Sequence, residues 1–342
     1  IRPLLSDTLE WPIGSMVTRS SDTSVDHMAL NKVLEEAFNE NVPDKIKNTR
    51  SVVVVKDGKV IAERYAEGFG PFKPHIGWSM TKSILATWIG MLEYDGYIRL
   101  NDKLKIKSWD DKRKDISFDN LLRMNSGLVW EEVYTGPSTA TNMLYKEADM
   151  GLYSANQDLE FDIETNWEYS SGTSNILAYA LKTILKPQDY YKYPYDSLFY
   201  PLGIRSAVIE ADVSGTYVGS SYMWANPRDW ARLGQLYLNK GEWNGEKLFS
   251  ETWTGYVTEQ TPGVEKGRYG AHFWLNAGDP IDRKNRKLSD VSTDVYSMNG
   301  YEGQRVFIIP SKNMVVVRLG QTKRHHFDFN AFLSNILKCV KS

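Results

Sequence analysis

The sequence is poor in the residues that mark several large classes of protein. Its 342 residues include one cysteine, Cys339, so an intrachain disulfide and a cysteine-cluster metal site are excluded. Cys339 lies in a helix-like segment near the C-terminus, and we interpret it as a buried structural thiol. No apolar run reaches the length of a membrane-spanning helix. The net charge of −2 lacks the basic excess typical of nucleic-acid-binding proteins, so we expect neither a membrane span nor a nucleic-acid partner.

Motifs of several common enzyme classes are also absent. There is no Gly-x-Ser-x-Gly elbow, no His-Glu-x-x-His zinc motif and no phosphate-binding Gly-rich lysine loop. The five histidines leave a Ser-His-Asp triad open. However, His75 lies only four residues before the candidate nucleophile described below, whereas a triad base usually comes from a separate segment. No histidine has the spacing of a metal site, and we expect no metal and no cofactor.

Hydrophobic periodicity and turn residues place strands at both ends of the chain and helices between them. Two β-branched runs flank Asp57-Gly58 within 51–65, which predicts a hairpin. Further strands are predicted at 269–275, 295–298, 304–309 and 314–319, and helices at 26–39, 79–94, 175–186, 227–240 and 327–340. The sequence therefore predicts an α/β (α+β) fold. An antiparallel sheet of five or more strands is built from both termini, flanked by helices and interrupted by a mainly helical insertion.

We expect one cooperative catalytic unit with three parts. Residues 1–50 would pack a helix on the α/β region, residues 51–100 and 205–342 would form the sheet region, and residues 101–204 would form the helical region. The chain begins with Ile1, and we favour a periplasmic or extracytoplasmic location, after removal of a targeting segment, over a cytoplasmic one. The oligomeric state is open.

The strongest chemical signal is Ser79-Met80-Thr81-Lys82, the only Ser-x-x-Lys in the chain. An apolar helix follows it directly, which places Ser79 at a helix N-terminus where backbone N–H groups stabilise negative charge. Residues i and i+3 share a helix face, so Lys82 can reach the Ser79 hydroxyl and activate it as a nucleophile. The tetrapeptide alone also fits an N-cap serine followed by an ordinary surface lysine.

A tyrosine motif 90 residues downstream adds a second signal. Tyr169-Ser170-Ser171-Gly172 precedes a predicted helix, so Tyr169 could pass a proton to a leaving group while Ser171 steadies Lys82. Two other tyrosines occur in similar tripeptides. Tyr237 falls in a helix-like run that favours a core position, and Tyr195 stays a minor alternative.

The third signal is the glycine-rich stretch 299–304, which opens a predicted strand. Glycines beside a strand let a ligand approach the backbone closely. The N–H of Gln304, which follows Gly303, could then form an oxyanion hole with the N–H of Ser79. A plain hairpin turn explains the same glycines.

In order, the segments SMTK, YSSG and GYEGQ resemble the three active-site boxes of the penicillin-binding protein and class C β-lactamase superfamily. The stretches 121–128 and 308–320 agree with it, and the similarity runs from about Ser51 to the C-terminus. Within this superfamily the chain resembles the esterase-like members and the 6-aminohexanoate-dimer hydrolases. The resemblance implies Ser79 as nucleophile, Lys82 as base, Tyr169 as proton shuttle and the Gln304 N–H as second oxyanion donor.

The resemblance also implies substrate contacts. Tyr134 matches a tyrosine that contacts substrate in the aminohexanoate hydrolases. In the third box, where lactamases and transpeptidases carry Lys-Thr-Gly or a His variant, this chain has Tyr301-Glu302-Gly303. The cation that would bind the carboxylate of a β-lactam is therefore missing, and Tyr301 and Glu302 become candidates for other contacts. Arg305 could meet an anionic group, unless the alternation of the strand turns its side chain to the other face.

We therefore expect a cofactor-free serine hydrolase that cleaves a small-molecule ester or linear amide through an acyl-enzyme on Ser79. One alternative is a D-amino-acid peptidase, a D,D-carboxypeptidase or a weak β-lactamase on the same scaffold. A second alternative is a penicillin-binding-like sensor or receptor that binds without turnover.

Overall fold

The structure is a computed structural model that describes residues 6–18, 22–42, 44–279, 281–323 and 326–341. The strands are β1 Thr49–Lys56, β2 Lys59–Tyr65, β3 His75–Ile76, β4 Val208–Ile209, β5 Met223–Ala225, β6 Glu242–Trp243, β7 Glu246–Lys247, β8 Trp274–Leu275, β9 Tyr296–Asn299, β10 Arg305–Ile309 and β11 Met314–Gly320. The α-helices are α1 His27–Phe38, α2 Met80–Tyr94, α3 Phe118–Arg123, α4 Thr139–Lys146, α5 Met150–Ala155, α6 Ser171–Ile184, α7 Pro187–Tyr190, α8 Pro227–Leu238, α9 Glu251–Thr258 and α10 Phe329–Lys338.

Both termini contribute to one six-stranded sheet with the order β2-β1-β11-β10-β9-β8. All its neighbouring strands whose register is described are antiparallel. The β1–β2 hairpin turns at Asp57-Gly58, where both residues have positive φ as a type I′ turn requires. The β10–β11 hairpin turns through 310–313 and ends with Asn313 in the left-handed region. The predicted sheet and both hairpins are confirmed.

Helices cover both faces of this sheet, which explains its continuous valine runs. Alternate residues of β1 pack on opposite sides: Val53 and Val55 join the core that contains α2 and α8, whereas Val52 and Val54 join the core that contains α1 and α10. A strand buried on both faces needs apolar residues at every position rather than at every second one. The predicted α/β architecture is confirmed.

The boundaries of several elements differ from the predicted ones. Helix α6 begins at Ser171 rather than Asn175, because the Ser170 side chain caps it by accepting from the Thr173 N–H. Within the predicted strand 269–275, only Trp274 and Leu275 form a strand. His272 has a φ of 60°, which breaks the extended backbone before Trp274.

The chain between β3 and β4 contains helices α2 to α7 and no strand, and all of its residues are described. The assignment of 101–204 as a separate region stays a prediction. Within the described parts of the chain, no helix is long and apolar enough to cross a membrane.

Candidate active site

Ser79 stands at the N-terminus of α2, directly after an unusual backbone conformation. Trp78 has a φ of 49°, a left-handed conformation that is strained for a bulky residue and that clusters at functional sites. Ser79 is the N-cap residue of α2, yet its side chain makes no capping hydrogen bond. Instead the Lys82 Nζ lies 3.2 Å from the Ser79 Oγ. The hydroxyl therefore faces the lysine rather than the helix backbone.

Lys82 is buried, with 1% of its surface exposed. Its Nζ also lies 2.9 Å from the Ser171 Oγ and 3.1 Å from the Ser220 carbonyl oxygen. Burial lowers the pKa of Lys82 from 10.5 to about 8, and the negative charge of Glu132 partly opposes this shift. A large fraction of Lys82 is thus neutral near pH 8, and a neutral amine can accept a proton.

Tyr169 lies on the segment that leads into α6 and faces the same lysine. The Lys82 Nζ is 5.1 Å from the centre of the Tyr169 ring. The ring packs against Tyr269 and Trp274, with centroid distances of 5.8 and 5.3 Å. Burial raises the pKa of Tyr169, and a hydrogen-bonding interaction with Ser79 lowers it in part. Tyr169 therefore stays protonated at neutral pH and has a proton to donate.

The connection from β9 to β10 lies against the segment before Ser79. A Cβ on Gly300 would stand 2.1 Å from the Gly77 carbonyl oxygen, so only glycine allows this approach. Gln304 is 2% exposed, and its side-chain amide exchanges two hydrogen bonds with the backbone of Gly320. Among the residues described, neither the Gln304 N–H nor the Ser79 N–H donates a hydrogen bond to protein. Both amides are thus available to an oxyanion.

No motif in the sequence pointed to Glu132. Glu131 is exposed, whereas Glu132 is half-buried beside the lysine. The Glu132 carboxylate accepts hydrogen bonds from the Ser171 hydroxyl at 2.5 Å and the Ser171 N–H at 2.9 Å. The Trp130 Nε1 and the Tyr134 hydroxyl also donate to it, both at 2.6 Å. An acidic pair in a loop gave no sign of these contacts, because Ser171 lies 39 residues away in the sequence.

Aromatic rings line the approach to Ser79. Trp78 contacts Tyr222 and Tyr301, each at a centroid distance of 6.1 Å. Tyr301 contacts Tyr134 at 5.7 Å, and the Tyr134 hydroxyl lies 3.4 Å from the Ser171 Oγ. Tyr301 is 53% exposed and Tyr134 is 39% exposed, so both are accessible to a ligand.

Glu302 and Gly303, the remaining third-box residues, make hydrogen bonds through their backbone carbonyl groups. Glu302 has a φ of 55°, and its carbonyl oxygen accepts from the Thr322 N–H. Gly303 has a φ of 84°, and its carbonyl accepts from the Arg318 Nη1 at 3.1 Å. Arg305 donates to the carbonyls of Gly300 and Gln304 and stacks on Phe329 of α10. Arg305 therefore points toward α10, the outcome that strand alternation suggested.

The two buried histidines whose contacts are described do not bond to Ser79. The His75 Nε2 bonds the Ser51 hydroxyl, and the His272 ring bonds the Ser174 hydroxyl and the Leu122 carbonyl. Burial lowers the pKa of His75 to about 4 and that of His272 to about 3. Neither histidine is placed as a triad base. His325 lies outside the described residues.

The alternative tyrosines lie in other surroundings. The Tyr237 hydroxyl bonds Thr87 in the core, and Tyr195 stacks on Phe199 and Tyr200. Within the described ranges, no group of three His, Cys, Asp or Glu side chains is arranged to hold a metal ion.

Comparisons with known proteins agree with the resemblance seen in the sequence. The chain is 22% identical over 298 residues to the 6-aminohexanoate-dimer hydrolase of Paenarthrobacter ureafaciens, covering 79% of this chain and 72% of that protein. A Bacillus anthracis structure assigned as a 6-aminohexanoate-dimer hydrolase matches with a TM-score of 0.71 and 19% identity, covering 95% of this chain and 85% of that one. A family VIII carboxylesterase structure, of unstated organism, matches with a TM-score of 0.67 and 13% identity, covering 95% and 99%.

A family profile provides the assignment. The profile described as Beta-lactamase matches residues 42–334, which is well over half of the chain. The match includes the Ser-x-x-Lys, the tyrosine motif and the glycine-rich strand. The chain therefore belongs to the Beta-lactamase family, a family of hydrolases that share the serine β-lactamase fold.

Proposed function

We propose that this chain is a serine hydrolase that forms an acyl-enzyme on Ser79 and cleaves an ester or a linear amide. The observation that carries the proposal is the contact of 3.2 Å between the Ser79 Oγ and the Nζ of a buried Lys82. A serine hydroxyl becomes a nucleophile when a neighbouring base removes its proton. The lowered pKa of Lys82, about 8, lets it act as that base near neutral pH.

Acylation follows from the positions of these groups. The Ser79 proton moves to the Lys82 Nζ as the Ser79 Oγ forms a bond to the substrate carbonyl carbon. The carbonyl electron pair moves onto oxygen, and the N–H groups of Ser79 and Gln304 stabilise the resulting charge. When the bond to the leaving group breaks, Tyr169 donates a proton to the leaving oxygen or nitrogen, and Lys82 reprotonates Tyr169. Water then attacks the acyl-enzyme by the reverse set of proton transfers.

The substrate class follows from what surrounds Ser79. The rings of Trp78, Tyr134 and Tyr301 offer apolar contact surface to a carbon chain on either side of the scissile bond. Tyr301 replaces the cation that binds a β-lactam carboxylate, and Arg305 donates to backbone carbonyls instead. We therefore expect p-nitrophenyl esters and linear amides to be cleaved faster than β-lactams.

The test is a panel of p-nitrophenyl esters, linear amides and nitrocefin, assayed side by side with Ser79→Ala. We expect ester or amide hydrolysis with an acid limb in kcat/KM near the pKa of Lys82, about 8, because protonated Lys82 cannot accept the Ser79 proton. Ser250, the N-cap of α9, offers a matched control, and Ser250→Ala should keep full activity. Turnover by Ser79→Ala at the wild-type rate would end the proposal.

Two results would favour a different function for this site. Hydrolysis of D-Ala-D-Ala peptides without hydrolysis of short acyl esters would favour a D,D-carboxypeptidase. Stable labelling of Ser79 by a fluorophosphonate, without hydrolysis of any member of the panel, would favour a receptor.

A further inference from the structure

Among the described residues, three oxygen atoms lie within hydrogen-bond distance of the Lys82 Nζ, and catalysis requires a proton from only one of them, the Ser79 Oγ. Neutral lysine carries two N–H bonds and one lone pair. The Ser220 carbonyl, at 3.1 Å, can only accept a hydrogen bond. The hydroxyls of Ser79 and Ser171, at 3.2 and 2.9 Å, can each donate or accept. The lone pair of Lys82 can therefore point to either serine, and only one choice activates Ser79.

The carboxylate of Glu132 decides between the two serines. A carboxylate is acceptor-only, so the single hydrogen of the Ser171 hydroxyl is committed to Glu132 at 2.5 Å. The oxygen of Ser171 must then accept from Lys82. With both N–H bonds of the neutral amine directed to Ser171 and Ser220, the lone pair is left for the hydroxyl of Ser79. We propose that Glu132 is a positioning residue that, acting through Ser171, turns the lone pair of Lys82 toward Ser79. This inference rests on the proposed function.

The same set of hydrogen-bond partners also fits the protonated form of Lys82. After it takes the Ser79 proton, Lys82 carries three N–H bonds, and its three oxygen neighbours accept one each. Proton transfer in either direction therefore needs no rotation of the ammonium group. A site that is already arranged for both protonation states avoids the cost of reorganisation during the reaction.

The other donors to Glu132 predict how a glutamine would behave in its place. The Trp130 Nε1 and the Ser171 N–H both donate to Oε2, and both are donor-only groups. The carbonyl oxygen of the glutamine must therefore face them. Its NH₂ group then faces the Ser171 hydroxyl and donates to it, so the Ser171 hydrogen turns to the lone pair of Lys82. In Glu132→Gln the orientation of hydrogen bonds is reversed, and the base is blocked.

The charge of Glu132 gives an independent readout. The titratable groups that face Lys82 are Glu132 from the loop before α4, Tyr169 from the start of α6 and His272 from the segment before β8. Tyr169 has a raised pKa and His272 a pKa lowered to about 3, so both stay neutral where the enzyme is assayed. Glu132 raises the pKa of Lys82, and its neutralisation therefore moves the acid limb of kcat/KM to lower pH.

The experiment compares Glu132→Gln, Ser171→Ala and the double variant on the best ester of the panel. We expect kcat to fall on the order of 100-fold in Glu132→Gln, with the acid limb shifted to lower pH, and to fall less than about tenfold in Ser171→Ala. The double variant should be no slower than Glu132→Gln, because it lacks the hydroxyl that blocks Lys82. Glu131→Gln, a change in the exposed neighbouring carboxylate, is the matched control and should behave as wild type.

Three results would overturn the inference: a kcat of Glu132→Gln within about threefold of wild type, an unmoved acid limb, or losses that multiply in the double variant. If Glu132→Gln does not fold, Glu132→Asp replaces it. This variant keeps the charge but withdraws the acceptor, so kcat should fall with the acid limb unmoved, and a wild-type kcat would overturn the inference.

The wild-type enzyme tests the proposed function separately. If it hydrolyses the ester and is labelled at Ser79 by a fluorophosphonate, the proposed function stands whichever way these variants behave. Wild type without either property would refute the proposed function itself.

Discussion

The two buried regions of this molecule are built on opposite principles. The sheet core, formed by Val53, Ile308, Val315 and their neighbours, is apolar and fully buried. The polar cluster, formed by Lys82, Glu132, Tyr169, Ser171 and Ser220 around Ser79, is buried at Lys82, Ser171 and Ser220, and its polar groups are joined by hydrogen bonds. Apolar contacts stabilise in proportion to area and tolerate exchange between similar side chains. Hydrogen bonds in the polar cluster have direction, so a change of one atom alters the chemistry.

The difference extends to the free energy of folding. Burial of Lys82 lowers its pKa from 10.5 to about 8, which means that the folded protein disfavours its charged form. At about 1.4 kcal/mol per pKa unit, this cost is on the order of 3 kcal/mol below pH 8. The sheet core stabilises the fold, and part of that stability offsets the cost of the polar cluster.

Replacement of Lys82 by methionine removes the buried charge of the polar cluster and has the largest expected effect on activity. We expect kcat/KM to fall on the order of 10⁴-fold, the upper range for loss of a general base. At pH 7 the free energy of unfolding should rise by about 1–2 kcal/mol, less than the full electrostatic cost because the Ser220 carbonyl loses a donor. Ester kinetics and urea denaturation measure the two effects.

The pH dependence of that stability difference checks its cause. The unfolded chain binds more protons than the folded one between the folded pKa of about 8 and the usual 10.5. Wild-type stability therefore rises relative to Lys82→Met as the pH increases through this window, and the advantage of the methionine shrinks. An advantage that stays constant from pH 7 to 10 would attribute it to packing rather than to charge.

The sheet core could be predicted from the sequence to a greater extent than the polar cluster. Asp57-Gly58 between two β-branched runs determines a hairpin locally, and the valine runs require burial on two faces. Ser79 and Lys82 were found because they lie one helical turn apart. Glu132 was missed because Ser171, at the start of α6, meets it only after the loop before α4 folds onto α6. The early start of α6 was missed because Ser170 acts as a cap, a role that a short polar stretch does not reveal.

A cavity in the sheet core should lower the free energy of unfolding and leave kcat unchanged. Ile308 is fully buried between Val315 of β11 and Tyr296 of β9. We expect Ile308→Ala to lower the free energy of unfolding by about 3 kcal/mol and Ile308→Val by about 1 kcal/mol. Urea denaturation measures both, and kcat per fluorophosphonate-labelled site should match wild type in both. A kcat that fell with the cavity would show that the core and the cluster are mechanically coupled.

Arg318 joins the two regions and should show an intermediate effect. It lies on β11 with no exposed surface, and its Nη1 donates at 3.1 Å to the carbonyl of Gly303. That carbonyl belongs to the same peptide group as the Gln304 N–H, the proposed oxyanion donor. Arg318→Met removes the group that holds this peptide, and we expect kcat to fall about tenfold, a fraction of the loss of a complete oxyanion donor.

Arg64→Met is the control for Arg318→Met, because Arg64 is a sheet arginine whose side chain is 43% exposed. Stopped assays at a temperature where both variants are folded report kcat per labelled site. Equal kcat for Arg318→Met and wild type would assign Arg318 to the structure of the sheet alone.

The smallest expected effect lies at the tip of the β1–β2 hairpin, far from the polar cluster in the fold. Gly58 has a φ of 71°, and a Cβ placed on it would meet nothing within 4 Å. Gly58→Ala therefore changes only the backbone energy of the type I′ turn, and we expect a loss of about 1 kcal/mol in the free energy of unfolding. Gly58→Asn, which tolerates positive φ, should lose less, and kcat should be unchanged in both. If the alanine variant unfolds at the wild-type urea concentration, pairing of the valine strands rather than the turn sets the register of the hairpin.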